Sequence, residues 1–200
     1  MAKRVQRVGY TLDAKGIKNL PYGEIAAILR GADDLIMQGG RSLLAKILKG
    51  SRDKKVLERK LDESPVYGFY RHLTTEQVMA RIDSVILEGY LDLEYDYRLP
   101  LLVYTGRGWE IEKETYADEL LQGLDEMLDG DARPFNMRYL QDRNREVVLA
   151  LLDKIQASGD RRYIPILEAW EKIDYKKVRK RIRQVIGRLN QGASEPPAAL

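Results

Sequence analysis

Lys49, Gly50 and Ser51 close one stretch of helical periodicity, and Arg52, Lys54 and Lys55 stand at the start of the next. At such a junction backbone N–H groups, a hydroxyl and cations can converge on one phosphate. Residues 41–60, RSLLAKILKGSRDKKVLERK, hold eight basic side chains against two acidic ones, and bring Arg41 and Lys46 into the same patch. A charge run is most often a solvated helical face. The scarcity of acids here favours a polyanionic partner instead. A second basic stretch, residues 171–188, also sums to +6, while residues 110–130 sum to −7. At physiological salt the Debye length is about 8 Å, so a partner feels these patches and not the net charge. Lys176, Lys177, Arg179, Lys180, Arg181 and Arg183 fall outside the apolar stripe of that second stretch. They fit first a solvated outer face, and otherwise a second backbone contact or docking on the acidic helix.

Other chemistry has no residues to carry it. The chain has no cysteine and one histidine, His72, so thiolate zinc sites, cysteine nucleophiles and His-rich metal sites all drop out. Glu112 and Glu114 lack a basic or nucleophilic partner nearby in sequence. No G-x-x-x-x-G-K-[ST] loop exists to cradle a nucleoside triphosphate. These absences argue against an enzyme and against a bound cofactor or metal. No apolar run approaches the ~20 residues of a membrane helix, and the basic amino terminus lacks the apolar stretch of a secretory signal. No membrane association and a cytoplasmic location are expected.

The patches must be positioned by elements that the periodicity outlines. Residues 1–20 read as a basic, loosely ordered arm. Ile25, Ile28, Leu29, Leu35 and Ile36 then mark one helical face behind Pro21, and Leu43, Leu44, Ile47 and Leu48 mark a second that ends at Gly50. A short third helix is expected from Asp53 to about Leu61. The fourth opens with a T-x-x-Q capping box, Thr74 and Gln77, and closes on Gly89. Its outward residues read as Gln77, Arg81, Ser84 and Glu88, a poor set for reading a major groove. Leu91, Leu93 and Tyr95 alternate with Asp92, Glu94 and Asp96, which predicts a strand. Arg98-Leu99-Pro100 is the expected turn, and Leu101–Thr105 the returning strand. Tyr97 and Arg98 stand at the tip, an aromatic ring and a cation. The acids along the first strand leave only that tip able to meet a phosphate chain. Beyond it the chain reads as helical, with elements expected at 111–129, 139–157, 161–172 and 175–189, and QGASEPPAAL has the composition of a disordered end.

The runs GRSLLAKILKGSRDKKVLE, SPVYGFYRHLT, RIDSVILEGYL and LLVYTGRGWEI, in this order, resemble the RQC domain, the winged helix that follows the ATPase core of RecQ-type helicases. The resemblance covers roughly residues 24 to 112. It rests on L-K-G-S at a helix end, Y-G followed by a basic residue, G-Y-L after the fourth helix, and T-x-x-G after the second strand. It implies phosphate contacts from Lys49, Ser51 and Arg71, and implies that Tyr97 can stack on an end base pair. The zinc-binding cysteines and the motor of the helicases are absent, so the closest likeness is a stand-alone, minor-type RQC protein. Gly159, Asp160, Ile164, Pro165 and Leu167, with Val178-Arg179, are similar to a HEAT repeat.

The expected fold is mainly α: a winged helix with a small antiparallel hairpin, then a short helical, HEAT-like domain. The expected divisions are a basic arm (1–20), the RQC-like winged helix (21–112), the helical domain (113–190) and a disordered tail (191–200). The expected function is non-enzymatic binding of DNA through phosphates, favouring duplex ends, forks or junctions, as an accessory to repair or replication. Structured RNA stays open as a ligand, and a helicase or another protein as a partner. The alternatives are a winged-helix transcriptional regulator and a protein-interaction adaptor.

Overall fold

The structure, a computed structural model, describes residues 6–130 and 133–191. Its elements run α1 (Tyr22–Asp33), α2 (Arg41–Lys49), α3 (Lys54–Glu58), α4 (Thr75–Leu87), β1 (Leu91–Asp96), β2 (Leu99–Tyr104), α5 (Gly106–Asp129), α6 (Arg145–Ser158), α7 (Ile164–Glu171) and α8 (Lys176–Gln191). The chain divides into two compact units between Glu112 and Lys113. The expected tail lies outside the described residues apart from Gln191, which closes α8.

The first unit is a winged helix. Its core gathers Ile28 and Leu29 from α1, Leu44, Ile47 and Leu48 from α2, Ile82 and Val85 from α4, and Leu91 and Leu102 from the hairpin, all essentially inaccessible to water. Each buried aliphatic side chain of this kind contributes about 1.5–3 kcal/mol. The apolar stripes read from the sequence are therefore the stripes that meet. Antiparallel β1 and β2 pair Leu93 with Leu102 and Asp96 with Leu99. On the other edge of β2, Leu102 accepts from Met37 N (2.9 Å) and donates to Gly39 O (2.9 Å), which ties the α1–α2 connection to the wing.

Local chemistry explains the element ends. Thr74 Oγ1 accepts from Gln77 N (3.2 Å) while Gln77 Oε1 accepts from Thr74 N (2.9 Å), a complete capping box that starts α4. Thr105 does the same work for α5. Its hydroxyl accepts from Gly108 N (3.1 Å) and donates to Gly89 O (2.7 Å). At Gly108 a β-carbon would fall 1.9 Å from Tyr90 O, so the T-x-x-G spacing marks a backbone-on-backbone crossing that only glycine permits.

Several elements depart from the sequence expectation. The wing turn is Tyr97-Arg98, with Tyr97 at φ +50°, and β2 begins at Leu99, two residues earlier than expected. Pro100 sits inside β2 opposite Tyr95, its missing N–H tolerated in a two-stranded ribbon. α3 stops at Glu58, and Leu61–Glu63 forms a separate 3-10 turn. α5 starts at Gly106 instead of residue 111, because the Thr105 cap and Gly108 favour an early start.

The larger difference is residues 6–20 of the expected arm, which are held in place by hydrogen bonds and an ion pair and are not loose; residues 1–5 lie outside the described residues. Asp13 N donates to Asp83 Oδ2 (2.8 Å), Ser84 Oγ to Ile17 O (3.3 Å), Asn19 N to Glu88 Oε1 (2.9 Å), and Lys15 pairs with Glu76. Residues 13–19 thus strap the outer face of α4. Ser84 lies 1 % exposed beneath the strap, not on an open helix face.

In the second unit, residues of α5 through α8 bury Leu120, Leu124, Leu151, Leu152, Trp170, Ile182 and Val185. Trp170 Nε1 donates to Asp174 Oδ2 (2.6 Å), whose other oxygen accepts from Tyr175 N (2.6 Å) just ahead of α8. The acids of α5 are matched by α6: Lys154 Nζ reaches Glu114 and Asp118, each at 2.9 Å. Arg181 and Arg183 of α8 pair with Asp153 and Glu171, each at 2.5 Å. Among the described residues no cation of α8 pairs with α5, so the docking considered from the sequence is not how α8 packs.

Candidate nucleic-acid interface

The α2–α3 junction is built on two glycines. Gly50 takes φ +73° at the end of α2, and its Cα faces Gly68 so closely that a β-carbon on Gly50 would sit 3.1 Å from Gly68 Cα. Gly68 N donates to Ile47 O (2.9 Å) and Tyr70 N to Leu48 O (2.7 Å), so residues 68–70 satisfy carbonyls that α2 would otherwise leave open. The L-K-G-S and Y-G motifs are therefore one contact.

Around that contact the cations are held at the surface. Lys49 Nζ donates to Arg71 O (2.7 Å), and its other two protons remain for a ligand. Arg71 is exposed, with Nε on Gly68 O (3.3 Å). Ser51 Oγ accepts from Asp53 N (3.2 Å), which keeps the hydroxyl proton free to donate, and Ser51 O accepts from Tyr67 OH (3.0 Å). Tyr70 anchors the segment from below. Its hydroxyl donates to Glu24 Oε2 (2.6 Å), which also takes Arg81 Nε (3.0 Å). Burial, then the Glu24 carboxylate, push the Tyr70 hydroxyl far above its ordinary range.

Asp53 is the less exposed of the two acids in this patch. It caps α3 by accepting from Lys55 N (3.0 Å) and pairs with Lys46 Nζ at 2.8 Å, with 41 % and 36 % of the two side chains exposed. The Lys46 hydrogen bond first, then that from Lys55 N–H, hold the Asp53 carboxyl below the usual carboxylate range. Lys54 lies 3.5 Å from Glu58, both well exposed. Arg52 and Lys55 are exposed and join no ion pair among the described residues. The junction thus carries Lys46, Lys49, Ser51, Arg52, Lys54, Lys55 and Arg71, with two carboxylates among them, Asp53 on Lys46 and Glu58 beside Lys54.

Arg41 stands apart, in a structural role the sequence did not disclose. Its guanidinium meets Asp83 of α4 at 2.5 Å with 15 % and 3 % of the side chains exposed, donates to Thr11 O (3.1 Å), and lies 5.5 Å from the Tyr10 ring. The wing tip is divided. Arg98 Nε donates to Gln6 O (3.1 Å) and Arg98 O accepts from Val8 N (2.9 Å), while Tyr95 OH donates to Val8 O (2.7 Å). Tyr97 stays 70 % exposed at the turn. The wing edge is therefore covered by residues 6–10 and its apex is open.

Sequence reading missed the strap over α4 and the cover on the wing. The available signal was the alternation of Val8, Tyr10 and Leu12, short and interrupted by Gly9. Phe69, between Gly68 and Arg71, is 43 % exposed, which no periodicity in the sequence signals. Among the described residues no group of three or more His, Cys, Asp or Glu gathers as a metal site would, and no helix is long and apolar enough to cross a membrane.

Residues 23–119 match the family model of the RQC domain. That span contains both glycine motifs, the capping box, the hairpin and the T-x-x-G crossing. It ends before α6, so the HEAT-like reading of the later helices finds no support in it. No curated protein and no solved structure matches the chain.

Proposed function

We propose that this chain, whose residues 23–119 match the RQC domain, a module that implies nucleic-acid binding, is a non-enzymatic DNA-binding protein. It contacts the phosphate backbone and favours duplex ends, forks or junctions over sequence. The observation that carries this reading is the Gly50–Gly68 contact, which sets Lys49, Ser51 and Arg71 side by side with donors still available. Phosphate recognition needs such positioned donors and cations, and it carries no sequence information.

Two further features favour shape over base readout. The face of α4 that a repressor would insert into the major groove lies under residues 13–19. Asp92, Glu94 and Asp96 on β1 repel a backbone running along the wing, which leaves exposed Tyr97 at the apex to meet a terminal base pair. The same strap counts against the regulator reading.

The test is competition at fixed salt among fork, blunt duplex, single strand and RNA duplex. Fork or end-containing DNA is expected to bind best. Lys49→Ala with Arg71→Ala should weaken every sequence about equally and flatten log K against log salt by about one per phosphate lost. A loss confined to one sequence, or binding indifferent to salt, refutes the proposal.

A further inference from the structure

Where α6 and α8 begin, the second unit opens a groove of about 530 Å3. Its apolar walls come from Leu140, Val148 and Val178, and its rim from Arg143, Arg145, Lys176 and Lys177. Tyr175 stands on the same rim with 68 % of its surface exposed. We propose that this groove holds a single-stranded stretch of nucleic acid, one base stacked on Tyr175 and its phosphates on the four rim cations. The inference rests on the nucleic-acid reading above and adds to it a second, strand-selective site.

The fold does not require these side chains. Arg145 opens α6, and Lys176 and Lys177 open α8, the helix ends at which cations are electrostatically disfavoured. None of the three joins an ion pair among the described residues, whereas Arg181 and Arg183 farther along α8 each have a carboxylate within 2.5 Å. Arg143 lies 5.6 Å from the Tyr116 ring, an arrangement that orients it, and it joins no ion pair among the described residues. The one acid in the groove is Asp174, 7 % exposed, and its oxygens accept from Trp170 Nε1 and Tyr175 N. It therefore fixes the backbone of Tyr175 and presents little charge outward.

An exposed aromatic ring among unpaired cations above an apolar floor suits a ligand that alternates flat π-faces with anions. A single strand is such a ligand, since each base can stack and each phosphate can meet a cation. Duplex DNA hides its bases and offers only the phosphates. An acidic peptide offers charge without a stacking partner.

The test uses the full chain with oligo-dT and with blunt duplex, titrated from low to moderate salt. Tyr175→Ala should weaken oligo-dT by roughly 5- to 150-fold, the equivalent of about 1–3 kcal/mol per stacked base, with duplex affinity and the salt slope nearly unchanged. Lys176→Gln with Lys177→Gln should lower the oligo-dT salt slope by about 1.4, at about 0.7 per phosphate on single strands. The Tm of that variant should hold or rise, because two cations leave a helix start. A fall in Tm would instead make the lysines structural and overturn the proposal.

It is equally overturned if Tyr175→Ala binds oligo-dT like the parent, or if poly-glutamate of matched charge displaces oligo-dT as well as unlabelled oligo-dT does. Duplex binding that still depends on Lys49 and Arg71 would then leave the first reading standing alone. Loss of all binding by the parent protein would remove both.

Discussion

Asp53→Asn should make this protein bind DNA more tightly. Asp53 has two jobs at the α2–α3 junction: it caps α3 through Lys55 N, and it neutralises Lys46 at 2.8 Å. Asparagine caps as well as aspartate does, so the helix start survives the change. The charge pairing does not. Lys46, 41 % exposed and already at the surface, then turns to solvent, and the patch loses one of its two carboxylates, Glu58 beside Lys54 being the other. One additional phosphate contact on B-DNA raises the salt slope by about 0.9, a gain of roughly eightfold in affinity at 0.1 M salt relative to 1 M. The assay is fluorescence anisotropy on a fork duplex over a salt series, with thermal denaturation to verify that the fold is kept. An Asp53→Asn protein with the parent's Tm, affinity and salt slope would mean that the junction does not face phosphates. That result would refute the placement of the site and not merely the part played by Lys46.

Two other expectations follow from buried contacts in the winged helix. Asp83→Ala leaves the Arg41 guanidinium, 15 % exposed, without its carboxylate and frees Asp13 N, so chemical denaturation should record a loss of about 3–5 kcal/mol; a loss below 1 kcal/mol would show that water replaces the partner. Alkaline stability should depend on Tyr70. Its hydroxyl is pushed above the ordinary value of about 10, so stability present below that pH is lost as pH rises beyond it and the unfolded chain ionises first. Tyr70→Phe should remove part of the slope above pH 10, and an identical pH profile for the two proteins would contradict the burial argument.

Much of the winged helix was written in local sequence, because each signal lies within a few residues of what it controls. The Thr74–Gln77 box starts α4 by bonds three residues apart, the stripe Val78, Ile82, Val85 defines its dry face, and alternation in Leu91, Leu93, Tyr95 makes a strand whatever its partner. The glycine motifs were legible as motifs but not as mechanism. That Gly50 and Gly68 touch, and that Gly108 crosses Tyr90 O, are meetings of segments about 18 residues apart that no periodicity encodes. Composition also limited the chemistry on offer: no cysteine and one histidine leave out thiolate and His-rich metal sites, and the cations fall in two runs.

Tertiary structure decided which cations are available. Arg41 and Lys49 look equivalent in a basic helix, yet folding clamps the first on Asp83 and leaves the second poised on Arg71 O. Ser84 looks outward on a helical wheel, and it is covered because residues 13–19 cross α4. Tyr175 and Arg143 are 32 residues apart and become neighbours on one groove only when α6 meets α8. The physical reason is the same in each case. Charge and periodicity are properties of a residue and its near neighbours, whereas availability is set by whichever distant segment comes to lie on top.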